Sequence, residues 1–150
     1  MSDPAQLTDH LGYWLRQVSN HVSHAFALQV EECGVTVAEW VLLRKLWGRD
    51  ATGPSRLAEE TGLTRGAVSK LADRLLAKGL IERTPSTEDR RAHSLALTAA
   101  GAALVPRLAQ LADRNEEHFF GHLDRGERLM LEQALRGIAQ RAGMRLVPVE

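Results

Sequence analysis

The sequence predicts a mainly α-helical chain carrying one two-stranded β-hairpin, and three observations carry that prediction. Apolar residues recur every three or four positions over most of the 150 residues. The period switches to two only around residues 80–97, on either side of a polar stretch. Hydroxyl or carboxylate side chains stand where helices should begin, and glycines where they should end. The composition agrees: 44% hydrophobic and 25% charged is an ordinary globular balance. The length suits one compact domain, or one domain with an oligomerisation arm.

The first helix is expected from about Leu7 to Glu32, with Leu7, Leu11, Leu15, Val18, Val22, Phe26 and Val30 on one face and Gly34 closing it. Thr36 and Glu39 form a capping box for a second helix, whose apolar face is Trp40, Leu43, Leu46 and Trp47. After a loop from Arg49 to Gly53, Pro54 opens a short third helix to Thr61, with Leu57 and Ala58 inward. Gly62-Leu63 is a tight turn. Thr64 caps a fourth helix buried along Val68, Leu71 and Leu75, ending at Gly79. Ile81 to Thr84 and His93 to Leu97 read as strands joined by the polar loop Pro85 to Ala92. Thr98 caps a fifth helix reaching about Leu123, with a kink rather than a stop expected at Pro106. In that helix Leu104, Leu108, Leu111 and His118-Phe119 are expected to face a partner. Asp124 and Glu127 open a last helix carrying Met130, Leu131, Leu135 and Ile138, and Gly143 ends it.

Short helix, glycine turn, longer helix and hairpin, in that order, make a winged helix-turn-helix. The helix from Thr64 to Lys78 is the expected recognition helix. Its buried stripe leaves Arg65, Ser69, Lys70, Asp73, Arg74 and Lys78 on the other face. A recognition helix touches base edges with its N-terminal residues, so Thr64, Arg65, Gly66 and Ser69 are the candidate base contacts. Gly66 keeps that end slim. Lys70 and Arg74 are candidate phosphate contacts, which orient the protein without reading sequence. At the loop tip, Arg90 and Arg91 suit a narrow minor groove, and Asp89 can orient Arg91 or an arginine of the recognition helix.

The balance of 19 Lys+Arg against 19 Asp+Glu argues at first against a nucleic-acid partner. The total hides a patch. From Arg65 to Arg91 seven basic residues face four acidic ones, and the rest of the chain carries the compensating negative excess.

The stretch Leu57 to Arg83, LAEETGLTRGAVSKLADRLLAKGLIER, continues into Glu88-Asp89-Arg90-Arg91 and then Leu97-Thr98 with Gly101. Here the chain resembles the MarR family of bacterial transcription regulators, whose pattern is an Asp-x-Arg wing followed by Leu-Thr-x-x-Gly. The resemblance runs over essentially the whole chain. It implies an obligate homodimer with residues 1–35 and 98–150 forming the helical dimerisation region and 36–97 the DNA-binding domain. It implies binding to palindromic double-stranded operators, often as a repressor, with release by a small molecule or an oxidant. A dimer also follows physically, because the outer helices are too apolar to stand alone.

The family's signal site is often the crevice between the two regions. Trp14, His21, His24, Trp40 and Trp47 are the candidate lining residues, against the alternative that the tryptophans are packing. Cys33 sits at the end of the first helix rather than near its start, where oxidant-sensing relatives carry theirs, and Glu31 and Glu32 beside it oppose thiolate formation. His118 and His122, four apart, would share a helix face. They are weak zinc candidates, with Glu117, His24, Cys33 and Glu39 as possible completions, but Trp40 stands where zinc-sensing relatives supply a histidine. The expectation is therefore no metal and no cofactor, with a zinc- or redox-responsive regulator of the same fold as the alternative. A winged-helix protein–protein module is a further one, for which Arg90 and Arg91 beside Asp89 would be superfluous. No phosphate-binding glycine loop, HExxH or nucleophile elbow points to an enzyme. A single cysteine, no apolar run of ~20 residues and an N-terminus without signal-peptide character lead to a cytoplasmic expectation, on the nucleoid when bound to DNA.

Overall fold

The computed structural model describes residues 2–85 and 93–145. Six helices and one hairpin follow in the order α1 (Leu11–Glu32), α2 (Val37–Leu46), α3 (Pro54–Thr61), α4 (Arg65–Ala77), β1 (Ile81–Pro85), β2 (His93–Leu97), α5 (Ala99–Phe120) and α6 (Arg125–Arg141). The expected caps are in place. Thr64 Oγ1 accepts from Ala67 N, and Thr98 Oγ1 from Gly101 N. Thr36 with Glu39, and Asp124 with Glu127, close reciprocal capping boxes. Each satisfies backbone donors that a helix start otherwise leaves unpaired. Gly34, Gly62 and Gly79 carry positive φ at helix ends, a conformation that costs a β-carbon.

The core lies in the central part of the chain. Leu42, Leu43 and Leu46 of α2 meet Leu57 of α3, and Val68, Leu71 and Leu75 of α4. Ile81 and Leu95 of the hairpin, Val30 of α1, and Val105 and Leu108 of α5 complete it. The strands pair antiparallel from Ile81↔Leu97 to Pro85↔His93. Thr52 adds a third edge by exchanging two 2.9 Å backbone bonds with Leu95. That bridge explains why the loop before α3 is so short of apolar residues yet buried at Thr52: the hairpin supplies its backbone partners. Gly101 fits α5 against the turn after α4, since a β-carbon there would stand 2.0 Å from the Leu80 carbonyl oxygen.

Four expectations are corrected. The N-terminal segment is not one helix from Leu7: Leu7–Asp9 is a 3-10 turn, and His10, in an extended conformation, separates it from α1. Trp47 is the C-cap of α2 and 40% exposed, while Leu42 takes a core place, because α2 ends at Leu46 before its face comes round again. α5 ends at Phe120, not Leu123, so His122 lies in the turn and does not share a helix face with His118. It does run unbroken through Pro106, whose ring sits on an exposed side. Lys78, expected on the open face of α4, is turned instead to Glu39 of α2.

Outside the core the chain is conspicuously apolar. Leu7, Leu11, Trp14, Leu15 and Val18 at the start, and Leu129, Met130, Leu131, Leu135 and Ile138 on α6, are all at least 40% exposed. α6 contributes no buried residue at all. Buried Asn115 of α5 donates to the Val22 carbonyl of α1 at 3.1 Å, joining these outer helices to each other.

Candidate nucleic-acid interface

α4 owes its orientation to its amphipathic sequence. Val68, Leu71, Ala72 and Leu75 are buried, and this leaves Arg65, Gly66, Ser69, Lys70, Asp73 and Arg74 exposed along one face. The preceding turn is fixed by Gly62 at φ 74° and by Thr61, whose hydroxyl donates to the Leu57 carbonyl at 2.7 Å. α3 is in turn tied to the end of α2. Arg49 grips the Glu60 carboxylate with both terminal nitrogens, at 2.7 and 3.3 Å, and Arg56 adds a third contact at 3.3 Å. The Arg49 hydrogen bond is the main reason that the Glu60 carboxyl is held below its ordinary value.

The exposed face of α4 is sorted by its ion pairs. Arg83 of β1 pairs with Asp73 at 2.7 Å, which removes the one carboxylate of α4 from play. Arg65, Lys70 and Arg74 form no ion pair with another described residue, so three cations project from the face. Lys78, expected on the same face, is instead turned to the protein. Its Nζ donates to Glu39 Oε2 at 2.7 Å and to the Gly34 carbonyl at 2.8 Å. The sequence signal was there, in a glutamate on the apolar side of α2, but its partner lies 39 residues away. Thr64 uses its hydroxyl oxygen for the helix cap and retains its proton to donate. At Gly66 an added β-carbon would find only Thr64 Oγ1, 4.0 Å away, so the small residue there is not demanded by packing.

The described part of the hairpin ends at the Pro85↔His93 pair. Asp89, Arg90 and Arg91 lie outside the described residues.

The candidate sensor residues are dispersed. Trp14, 52% exposed, stands edge-on to Tyr13 and donates to the Thr8 carbonyl. Trp40 packs edge-on against Phe26 at 6.4 Å. His21 bonds the Gln17 carbonyl through Nδ1, and His24 is exposed. Two clefts of about 580 and 360 Å³ open elsewhere. The larger is lined by residues of α3, the following turn, Arg65 and Arg145; the smaller lies between α5 and α6. Cys33 is a half-buried free thiol. Among the described residues no group of three or more His, Cys, Asp or Glu is placed to hold a metal ion. His118 is exposed and packs edge-on to Phe119.

This arrangement of helices and hairpin recurs in known proteins. Residues 35–93 match the model of the MarR family. A structure of the transcriptional repressor CouR bound to a 23-mer DNA duplex is 31% identical, covers 93% of this chain and 99% of that one, and superimposes with a TM-score of 0.79. The chain belongs to the MarR family. Its similarity extends to the HTH-type transcriptional repressor NicR of Pseudomonas putida, 27% identical over 133 residues, or 89% of this chain and 84% of that one. It extends also to BpsR of Bordetella bronchiseptica, from a structure on regulation of its DNA binding by 6-hydroxynicotinic acid. That match is 25% identical, with a TM-score of 0.79 over 91% of this chain and 98% of that one. MarR-family relatives of this kind are transcriptional regulators rather than enzymes. No helix among the described residues is long and apolar enough to cross a membrane.

Proposed function

We infer that the chain is a transcriptional repressor that binds double-stranded DNA as a homodimer and is released by a small molecule. One observation carries the DNA-binding part: the exposed face of α4 presents Arg65, Gly66, Ser69, Lys70 and Arg74, while its carboxylate is tied up by Arg83. α4 enters the major groove by its N-terminal end. Thr64, Arg65, Gly66 and Ser69 meet base edges, an arginine being the side chain best matched to guanine O6 and N7. Lys70 and Arg74 hold phosphates. Arg90 and Arg91 of the wing reach the adjacent minor groove, with Asp89 orienting Arg91 or an arginine of α4.

Residues 1–35 and 98–150 form the dimerisation region, and 36–97 the DNA-binding domain. Support comes from the exposed apolar rows of α1 and α6, which a second copy would cover. A two-fold axis then places two α4 helices on half-sites about one helical turn apart, so the operator is palindromic. The small-molecule signal is carried over from BpsR, whose DNA binding 6-hydroxynicotinic acid regulates. Trp14, His21, His24, Trp40 and Trp47 line neither cleft of the single chain, so the site proposed beside them needs the second copy to enclose it. The chain acts in the cytoplasm.

The test is selection of duplexes from a random-sequence library by the wild-type protein, followed by binding of the enriched duplex by Arg65→Ala. Enrichment of a palindrome and loss of its binding in the variant, with the dimer intact, is the expected result. An unenriched library would point instead to a protein-binding module.

A further inference from the structure

Both connections between the outer helices and the DNA-binding unit converge on the C-terminal end of α4. On one side Lys78, its C-cap, reaches across to the Gly34 carbonyl in the turn between α1 and α2, and to Glu39 in the first turn of α2. On the other side Thr98, the cap of α5, donates its hydroxyl to the Gly79 carbonyl at 2.6 Å and its backbone N–H to the Leu80 carbonyl at 3.1 Å. Three consecutive residues, 78 to 80, thus bond to the end of one outer helix and the start of the next.

The Glu39 end of this junction is unusual. Its carboxylate is 1% exposed, with one oxygen accepting from Thr36 N at 3.3 Å and the other from Lys78 at 2.7 Å. A carboxylate buried this deeply is costly to leave unpaired, while Lys78 itself stays 38% exposed. What a charged pair adds is one permitted alignment. Arg65 lies about 20 Å from Lys78 along the helix, at 1.5 Å per residue. A tilt of about 10° at the Lys78 end would carry Arg65 some 3.5 Å, about one base step along a strand.

Resting on the DNA-binding reading above, we propose that Lys78 is a positioning residue. Clamped by Glu39 and the Gly34 carbonyl, it makes the 78–80 segment the pivot at which the outer helices set the pitch of α4. It contacts no phosphate. The reading end of α4, held to α3 through the Gly62 turn and by buried Val68, moves with the DNA-binding unit as a whole about this junction.

The two roles open to a lysine on this helix make opposite predictions. If Lys78 held a phosphate, Glu39→Gln would free its charge and tighten DNA binding. If it positions, Glu39→Gln and Lys78→Met both loosen binding, each by about tenfold, the scale of mutations that act through a coupled network. The measurement is fluorescence anisotropy with the full-length dimer and the duplex that the wild type enriches from a random library. It is repeated over a salt series and with the spacer between half-sites changed by one base pair. Expected are weaker binding in both variants with an unchanged slope of log K against log salt, and a flatter response to spacer length. Lys78→Arg, which keeps the pair, restores wild-type behaviour. If Lys78→Met fails to fold because Glu39 is left unpaired, the double variant Glu39→Gln/Lys78→Met removes both charges and answers the same question. Tighter binding by Glu39→Gln overturns the proposal. So does wild-type affinity in both variants, or a salt slope lowered by about 0.9, the signature of one lost phosphate contact. If the wild type enriches no duplex, the DNA-binding reading fails and the proposal with it; an enriched duplex with any of the overturning results sinks the positioning role alone.

Discussion

Two glycines show how differently one residue type is used. Gly101 meets the Leu80 carbonyl so closely that a β-carbon would overlap it. Gly101→Ala therefore pushes α5 off the turn after α4 and is expected to lose about 1–3 kcal/mol in a denaturant titration, the usual cost of overpacking. Gly66 faces open space, and a side chain there replaces glycine in a helix. Gly66→Leu should hold or raise stability, by up to about 1 kcal/mol, while weakening operator binding if the proposed base contact is made there. A fall in stability equal to that of Gly101→Ala would refute the assignment. Both glycines belong to recognisable motifs in the sequence, but the motif does not say which serves packing. Glu60 offers a test by pH. Its folded-state pKa lies below the ordinary 4.5, chiefly through Arg49, so its pairing stabilises the protein above that value and is lost as pH falls through the folded pKa. Glu60→Gln should lower the melting temperature at neutral pH, and the gap to wild type should close as acid protonates Glu60.

At the scale of elements, α4 is decided by its neighbours. Its apolar stripe, its threonine cap and its closing glycine are all legible in the chain, because they are local and obey a 3.6-residue period. The allocation of its charges is not. Lys78 and Arg74 are alike in sequence, both four residues from another cation of the helix, yet one is bonded to Glu39 of α2 and the other is exposed. Helical period alone put both on the DNA side. The corrected face predicts that Lys70→Ala and Arg74→Ala each reduce the slope of log K against log salt by about 0.9. They should weaken binding to all duplexes alike, whereas Arg65→Ala should relax base preference as well. A loss of specificity from Lys70→Ala would move that residue from the phosphates to the bases.

At the scale of the molecule, the exposed rows of α1 and α6 demand cover. Thirteen large hydrophobic residues lie open on the described chain, most of them on these two helices or the 3-10 turn before α1. Leu11→Glu combined with Ile138→Glu should therefore yield monomers by sedimentation equilibrium, with the inner core of α2–α5 still folded by circular dichroism. Operator binding should fall with the dimer, because each half-site alone contributes only part of the affinity. An unchanged dimer would place the contact elsewhere.

The sequence by itself determined the order of elements, the caps that start them, the basic exposed face proposed to meet DNA and the apolar excess that calls for a second copy. Periodicity and capping act over a few residues, so the chain states them directly. The tertiary structure alone decided the partner of Lys78, the third edge that Thr52 gives the hairpin, the early end of α5 that parts His118 from His122, and the closeness of Gly101 to Leu80. Most of these depend on where chain segments many residues apart come to lie, which is not written in a local pattern.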